Sequence, residues 1–428
     1  MATSITNVRV FDGKALIGAS TVRIDGSTVV AVGDLSVARP EDDLVDGRRG
    51  TLLPGLIDAH VHLLPGASAQ ALSFGVTTML DMFSKPELIE QEFFETRQDI
   101  RSAVYTSSIG ATAPGGHPSM MYAPFPTIRD PREAAGFVQD RVSEGARYLK
   151  VFYEGGHSID WAMPSLSIAC VKALVEAAHE AGILVVAHAQ RSIDAVDVAD
   201  AGVDILAHAP LDHMSNAQVA TLASSGIAVI STLSIADGFP TPGSPMAILE
   251  HPGLAERLGR RWTATIRSQG ERWQPPGMPD FLDAYANIRR LHEAGVPVLA
   301  GTDAPNPGTV HGASIHRELW HLTQAGLTPV EALRAATSTT AKTFGLDDLG
   351  RVHPGATADL LLVKGQPDLA IESSTSIEMV WRAGQRLVTE GYVGSRSEDA
   401  GLEYLADQIA RVIASVTTKL FHDQKEKP

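Results

Sequence analysis

Between Leu53 and Thr302 the chain passes eight times through the same change of texture, an apolar and β-branched stretch followed by one of helical character. The stretches are Leu53–Leu63, Val76–Met82, Ala103–Ile109, Tyr148–Tyr153, Ile183–Ala189, Asp204–Ala209, Ile227–Thr232 and Val296–Thr302. Strands so continuously apolar must be covered on both faces, the condition of a parallel sheet clothed by helices such as Ser167–Ala181 and Pro329–Phe344. Eight such units over about 290 residues suit a closed (β/α)8 TIM barrel, with a doubly wound open sheet as the alternative.

The flanks differ. Residues 5–53 hold short alternating segments, Val8–Phe11, Thr21–Ile24 and Val29–Val32, between Asp-Gly and Gly-Ser turns, which is hairpin chemistry. After Gly345 the chain returns to β character in Asp359–Val363 and Glu378–Arg382. The chain is therefore expected to be an α/β protein in which a barrel over 54–345 is inserted into a small β-sandwich domain formed by both termini, 1–53 and 346–394. A C-terminal helix and tail follow at 395–428. Over Ser397–Leu420, Leu402, Leu405, Ile409, Val412, Ile413, Val416 and Leu420 recur at helical spacing, with Ser395 and Glu398 placed as a capping box. Such a helix packs on its own barrel or forms a subunit contact, so a homo-oligomer stays open.

Charge narrows the function. A formal net charge of −15 with no long Lys/Arg run disfavours nucleic acid and an anionic membrane surface as partners and favours a small-molecule substrate. The N-terminal residues lack a secretory pattern and no stretch reaches 18 uncharged apolar residues, so a soluble cytoplasmic protein is expected. Cys170 is the only cysteine, so any metal site must be built from histidines, carboxylates or something less ordinary.

In a barrel, catalytic groups come from the C-terminal strand ends. His60 and His62 end the first run; side chains at i and i+2 share a strand face, and two imidazoles there can reach one divalent cation. The bland alternative is a pair of strand-end histidines bonded to backbone. Lys150 lies near the end of the fourth run, His188 ends the fifth, His208 the sixth, and Asp303 follows the eighth. Four histidines and a carboxylate on one rim would be costly to bury unpaired, and metal ions offset that cost. Lys150 is out of place in a buried strand. Either it pairs with Asp303 or Glu154, or as a neutral amine it reacts with carbon dioxide to give a carbamate able to bridge two cations.

These motifs resemble the metal-dependent amidohydrolase superfamily, in its imidazolonepropionase-like and prolidase-like branch. The resemblance rests on Pro-Gly-Leu-Ile-Asp-Ala-His-Val-His (54–62), Lys150, His188, His208, Gly301-Thr-Asp-Ala-Pro305, Ala332-Leu-Arg-Ala-Ala-Thr and the tail Gly355–Val363. It implies two divalent metal ions, zinc being the first choice. His60, His62 and Asp303 would hold one, His188 and His208 the other, with carboxylated Lys150 and a hydroxide bridging them. A bound cation lowers the pKa of water and polarises a carbonyl, and Asp303 beside it would act as general base and then acid.

Substrate contacts are expected from His117, at a position where relatives carry a substrate-contacting histidine, and from Tyr153 and His311. Met120, Met121, Tyr122 and Phe125 offer an apolar wall for a hydrophobic acyl or leaving group. The Pro/Gly-rich stretch 237–279, with Trp262 and Trp273, is either a lid over the rim or extra helices. The leading expectation is hydrolysis of a C–N amide bond in an N-acyl amino acid, a dipeptide or an aryl amide. Cyclic amides of imidazolone or hydantoin type come next, then carbamates, esters and lactones. The resemblance disfavours deamination, because relatives that deaminate nucleobases commonly use one metal and a catalytic glutamate near the fifth- or sixth-strand histidines, whereas Ala189-Gln190 and Ala209-Pro210 follow them here. A non-catalytic, metal-stabilised binding protein is the remaining alternative.

Overall fold

The computed structural model describes residues 2–97, 99–155, 163–240, 244–272, 281–387 and 400–412. Seven strands precede the first histidine pair: β1 (Thr3–Thr6), β2 (Arg9–Phe11), β3 (Leu16–Ile17), β4 (Thr21–Asp25), β5 (Thr28–Gly33), β6 (Asp43–Asp46) and β7 (Thr51–Pro54). Eight follow: β8 (Leu56–Val61), β9 (Val76–Asp81), β10 (Ala103–Thr106), β11 (Tyr148–Phe152), β12 (Leu184–His188), β13 (Ile205–Leu206), β14 (Ala228–Ile230) and β15 (Val298–Leu299). The C-terminal part adds β16 (Leu360–Val363), β17 (Ile377–Arg382) and β18 (Gln385–Arg386). The protein is thus mixed α/β.

The eight central strands are all parallel to their neighbours and form two sheets, β10-β9-β8 and β11-β12-β13-β14-β15. Hydrogen bonds cross both gaps between these sheets. On one side Arg147 N donates to Thr106 O, Ala111 N to Lys150 O and Phe152 N to Ala111 O. On the other, Ala59 N donates to Ala300 O, Asp303 N to His60 O (2.7 Å) and His62 N to Ala304 O, with a parallel bridge between Val61 and Ala304. Apolar side chains lie on both faces, as the runs require. Leu149, Val151, Val185 and Val229 pack outward with helix residues such as Leu174 and Leu319. Tyr148, Val186, Ile205, Ala228 and Leu299 form a second cluster that includes Ile57 and Leu80.

The flanking strands form a four-stranded sheet, β5-β4-β1-β6, and a six-stranded one, β18-β17-β16-β7-β2-β3. In the latter, β7 from the N-terminal part pairs antiparallel with β16 from the C-terminal part, Leu52 opposite Leu362. One apolar cluster draws on both sheets, from Ile5, Val10 and Val22 to Leu360, Leu362 and Trp381. At Gly55 the chain leaves β7 for β8. A Cβ there would meet Thr77 Oγ1 at 2.2 Å, so the crossing requires glycine.

One local feature departs from the sequence expectations, and two others narrow readings that were open. Pro329–Phe344 is two helices, Pro329–Ala335 and Ser338–Thr343, broken where Thr337 takes φ −140° and ψ −104°. The stretch after Thr232 is largely helical, with a 3-10 helix at Leu233–Gly238 and α-helices at Ala247–Glu250, Pro252–Ala255 and Arg260–Arg272, and Trp262 is buried. Its Trp273 lies outside the described residues. Residues 400–412 are helical and sink Leu402 and Leu405 into the main core of their own chain, whereas Ser395, Glu398, Ile413, Val416 and Leu420 lie outside the described residues. No helix among the described residues is long and apolar enough to cross a membrane.

Candidate metal centre

His60, His62, Lys150, His188, His208 and Asp303, scattered over some 240 positions, arrive at one end of the parallel strands. His60 and His62 leave β8 where its pairing with β9 shifts register, between Asp58 and Val61. Asp303 follows β15 in a left-handed backbone conformation, φ +52°, as does Thr232 after β14, φ +45°. Such conformations are costly for residues with a side chain and gather at functional sites.

Asp303 Oδ1 lies 3.3 Å from His60 Nε2 and 3.0 Å from His62 Nε2. The His60 and His208 ring centroids are 4.9 Å apart, those of His208 and His188 4.7 Å. Donor atoms of His60, His208 and Asp303 all fall within 4.8 Å of one another. Backbone and hydroxyl partners fix the rings from behind. His60 Nδ1 donates to Ala207 O (3.2 Å), His62 Nδ1 donates to Phe83 O (3.4 Å), and His208 Nδ1 shares a hydrogen bond with Thr232 Oγ1 (2.9 Å). Each bond leaves Nε2 to face the site, the arrangement in which imidazole ligates a metal.

Burial sets the protonation states. It drives His60 and His208 well below the usual imidazole range and His188 to about 3, the Lys150 ammonium adding to each by repulsion. Lys150 itself, wholly buried, falls to about 7 for the same reason, against the pull of Asp303 and Asp81. Neither pairing expected for it occurs: among the described residues its Nζ has no hydrogen-bond partner and lies 5.4 Å from the Phe152 ring centroid.

His60 Nε2, His188 Nε2, Lys150 Nζ and Asp303 Oδ1 are all buried without a hydrogen-bond partner among the described residues. With His60 neutral and its proton on Nδ1, a lone pair of Nε2 faces a carboxylate oxygen at 3.3 Å. Two acceptors this close repel unless a cation lies between them, and buried polar atoms left unpaired cost roughly 1–3 kcal/mol each. The donor set, nitrogen and oxygen without sulfur, fits divalent metal.

The residues expected to touch substrate divide. His117 stacks on His188, ring centroids 4.8 Å apart, and burial holds it near 3. His311 is turned inward, its Nε2 donating to the main-chain oxygen of His62 (2.8 Å), so it braces a site residue. The role expected of Tyr153 is corrected. Lys150 and Phe152 face the site, so the intervening parity sends Leu149, Val151 and Tyr153 toward the helices, where the Tyr153 hydroxyl donates to Asp197 Oδ2 (2.9 Å). An apolar wall is present: Phe83, Ile109, Tyr122 and Phe152 cluster with half-buried Met121 and Phe125, and Tyr122 lies 6.4 Å from His62, ring to ring.

Three contributors were not singled out from sequence. Asp58 accepts from Thr302 N (3.0 Å), Thr302 Oγ1 (2.7 Å) and His60 N (3.3 Å), tying β8 to the chain after β15; burial raises it to about 7. Its signal was a carboxylate inside an apolar run. Thr232 carries no signal, since its role depends on a left-handed turn. Glu318, fully buried, accepts from Leu233 N and Ser234 N and so fixes the turn that presents Thr232.

Residues 51–387 match the profile of the amidohydrolase family. An uncharacterized protein of Mycobacterium tuberculosis is 27% identical over 349 residues, 76% of this chain and 82% of that protein. The imidazolonepropionase of Streptomyces griseus is 34% identical over 108 residues, 24% of this chain and 27% of that enzyme. Among solved structures, a putative prolidase from Bifidobacterium longum superposes with a TM-score of 0.71 at 23% identity, covering 95% of this chain and 99% of that one.

Proposed function

The chain belongs to the amidohydrolase family and is a hydrolase acting on carbon–nitrogen bonds, and from that premise we propose that it cleaves a linear amide, in an N-acyl amino acid, a dipeptide or an aryl amide. The observation that carries this reading is the convergence of Lys150, Asp303 and the histidines, four of whose buried donor atoms have no hydrogen-bond partner among the described residues. His60, His62 and Asp303 would hold one divalent cation, zinc by preference, and His188 and His208 a second, with Lys150 between them as its carbamate. When bound, the metal pair supplies Lewis acidity and an activated water. The neutral amine that carbamate formation needs is favoured by the burial of Lys150.

The chain's own groups do the rest. Asp303, held by the seam between β8 and the segment after β15, takes the proton from the attacking water and returns it to the leaving nitrogen. His117, stacked on His188, orients the substrate, while Phe83, Tyr122 and Phe152 exclude water and receive an apolar group. His311 acts through His62, as a positioning residue. The architecture in this reading is a closed (β/α)8 barrel over 54–345, supported by the hydrogen bonds across both gaps, set into a β-sandwich from 1–53 and 346–394. Cyclic-amide opening is the second reading, favoured by the stretch similar to imidazolonepropionase.

The test is metal content per chain by elemental mass spectrometry on protein prepared with bicarbonate, followed by a panel of linear and cyclic amides. Two equivalents and turnover of linear amides are expected. One equivalent, unchanged by added metal, would reduce Lys150 to a structural role and bring cyclic amides forward. Full metal loading with no turnover of any amide, carbamate, ester or lactone would leave a binding protein.

A further inference from the structure

The alternation of β11 continues past its last residue. Lys150 and Phe152 face the site, Tyr153 turns away, and Glu154 returns at the parity of Lys150. Its main-chain N–H donates to Ser165 Oγ (2.9 Å), and the next residue, Gly155, has φ +49° where a Cβ would meet Asp194 Oδ1 at 2.0 Å. The turn that delivers Glu154 therefore admits only glycine. The side chain is 10% exposed, with Oε1 3.4 Å from His188 Nε2 and 3.7 Å from His117 Nδ1, while Oε2 is buried with no hydrogen-bond partner among the described residues. The two side chains it meets are imidazoles, and no lysine or arginine among the described residues pairs with it. A buried carboxylate without a cationic side chain beside it is costly, and the hydrolysis outlined above gives it no role.

We propose that Glu154 is an anionic subsite that accepts the free ammonium group of the substrate on the His117–His188 side of the centre. This rests on the amide-hydrolase reading and narrows it. Within the three substrate classes it selects compounds with a free amine near the scissile carbonyl, dipeptides and aminoacyl amides, over their N-acylated counterparts. A carboxylate with one oxygen against the imidazoles and the other unpaired has its second oxygen free for an N–H donor, and a charge-assisted bond to it is about twice as strong as a neutral one. The alternative fate for such a carboxylate is to join His188 as a metal ligand, which the same experiment separates.

Zinc-loaded wild type and Glu154→Gln are titrated calorimetrically with a phosphinic dipeptide analogue bearing a free amine and with its N-acetyl twin. Zinc per chain and Tm are recorded for both proteins, and amide turnover for wild type. Expected is wild-type preference for the amine form by about tenfold or more, loss of that preference in Glu154→Gln, and unchanged zinc content. Wild type without preference, or equal weakening of both twins, overturns the subsite; loss of zinc from Glu154→Gln makes Glu154 a ligand and overturns it too. Preference that depends on Glu154 in a protein that hydrolyses no amide would retain the subsite and reject the reaction. Turnover of N-acyl amides in preference to free-amine ones would reject the subsite and retain the reaction.

Discussion

Replacing Lys150 by methionine should move metal-free and metal-loaded protein in opposite directions. The lysine is wholly buried, without a hydrogen-bond partner among the described residues, and held at about 7 instead of 10.5, so the unfolded chain binds its proton across that window and the folded one does not. Wild-type stability therefore rises with pH between these values, from the shortfall of protons in the folded state. At pH 8 the gap to the ordinary lysine value, at about 1.4 kcal/mol per tenfold change in proton activity, puts the cost of deprotonation near ~3 kcal/mol. Methionine has similar length and nothing to deprotonate. With an unfolding entropy of about 2.1 cal/mol/K per residue, the gain corresponds to a rise of roughly 3 °C in Tm. Chelator-treated Lys150→Met should melt higher than wild type at pH 8 and lose the pH slope. Supplied with zinc and bicarbonate it should bind no more than one equivalent and lose turnover by at least about a hundredfold. A metal-free variant equal to or weaker than wild type, with the pH slope retained, would refute the reasoning, for it would mean that Lys150 is a paired ammonium in the folded protein.

Asp303→Asn should keep most of the bound metal yet lose about a thousandfold or more in turnover, because an amide still offers an oxygen but cannot take the proton; metal analysis and kinetics on one sample check it. Thr232→Val removes the partner of His208 Nδ1 with little change of shape, and zinc affinity by competition with a chromogenic chelator should fall about 10- to 100-fold. His188, held near 3 instead of 6.5, contributes stability that is complete above pH 6.5 and lost as pH falls toward 3, because the unfolded chain takes up the proton first. The urea stability of metal-free wild type relative to His188→Gln should therefore shrink between pH 6.5 and 4, and a constant difference would contradict the assignment.

How much of this was legible in the sequence follows from which features depend on local pattern. The eight apolar runs became parallel strands because near-continuous apolarity has few other outcomes, and placement at strand ends brought His60, His62, Lys150, His188, His208 and Asp303 together over long separations. Tyr153 was misjudged although its parity was available: counting in twos from Lys150 sends it to the helices and Glu154 to the site. Asp58 was legible in principle, as anomalous in its apolar run as Lys150. Thr232 and Glu318 were not, because a left-handed turn and the buried carboxylate that fixes it depend on tertiary contacts with no period in the chain. The break at Thr337 likewise has no proline or glycine to announce it.

The seam between β8 and the segment after β15 joins parts of the chain roughly 240 residues apart, and His62 stands on one side of it with Asp303 on the other. A cation gripped there would work as a clasp on the whole central unit, doing for a chain with one cysteine what a cystine does in secreted proteins. Fastening a loop of that length removes about 5 kcal/mol of chain entropy from the unfolded state on the usual cross-link relation. Chelation should accordingly unlatch the molecule at this place before any other, and amide exchange in Ala59–His62 and Ala300–Ala304 should quicken while the β16–β7 pairing holds.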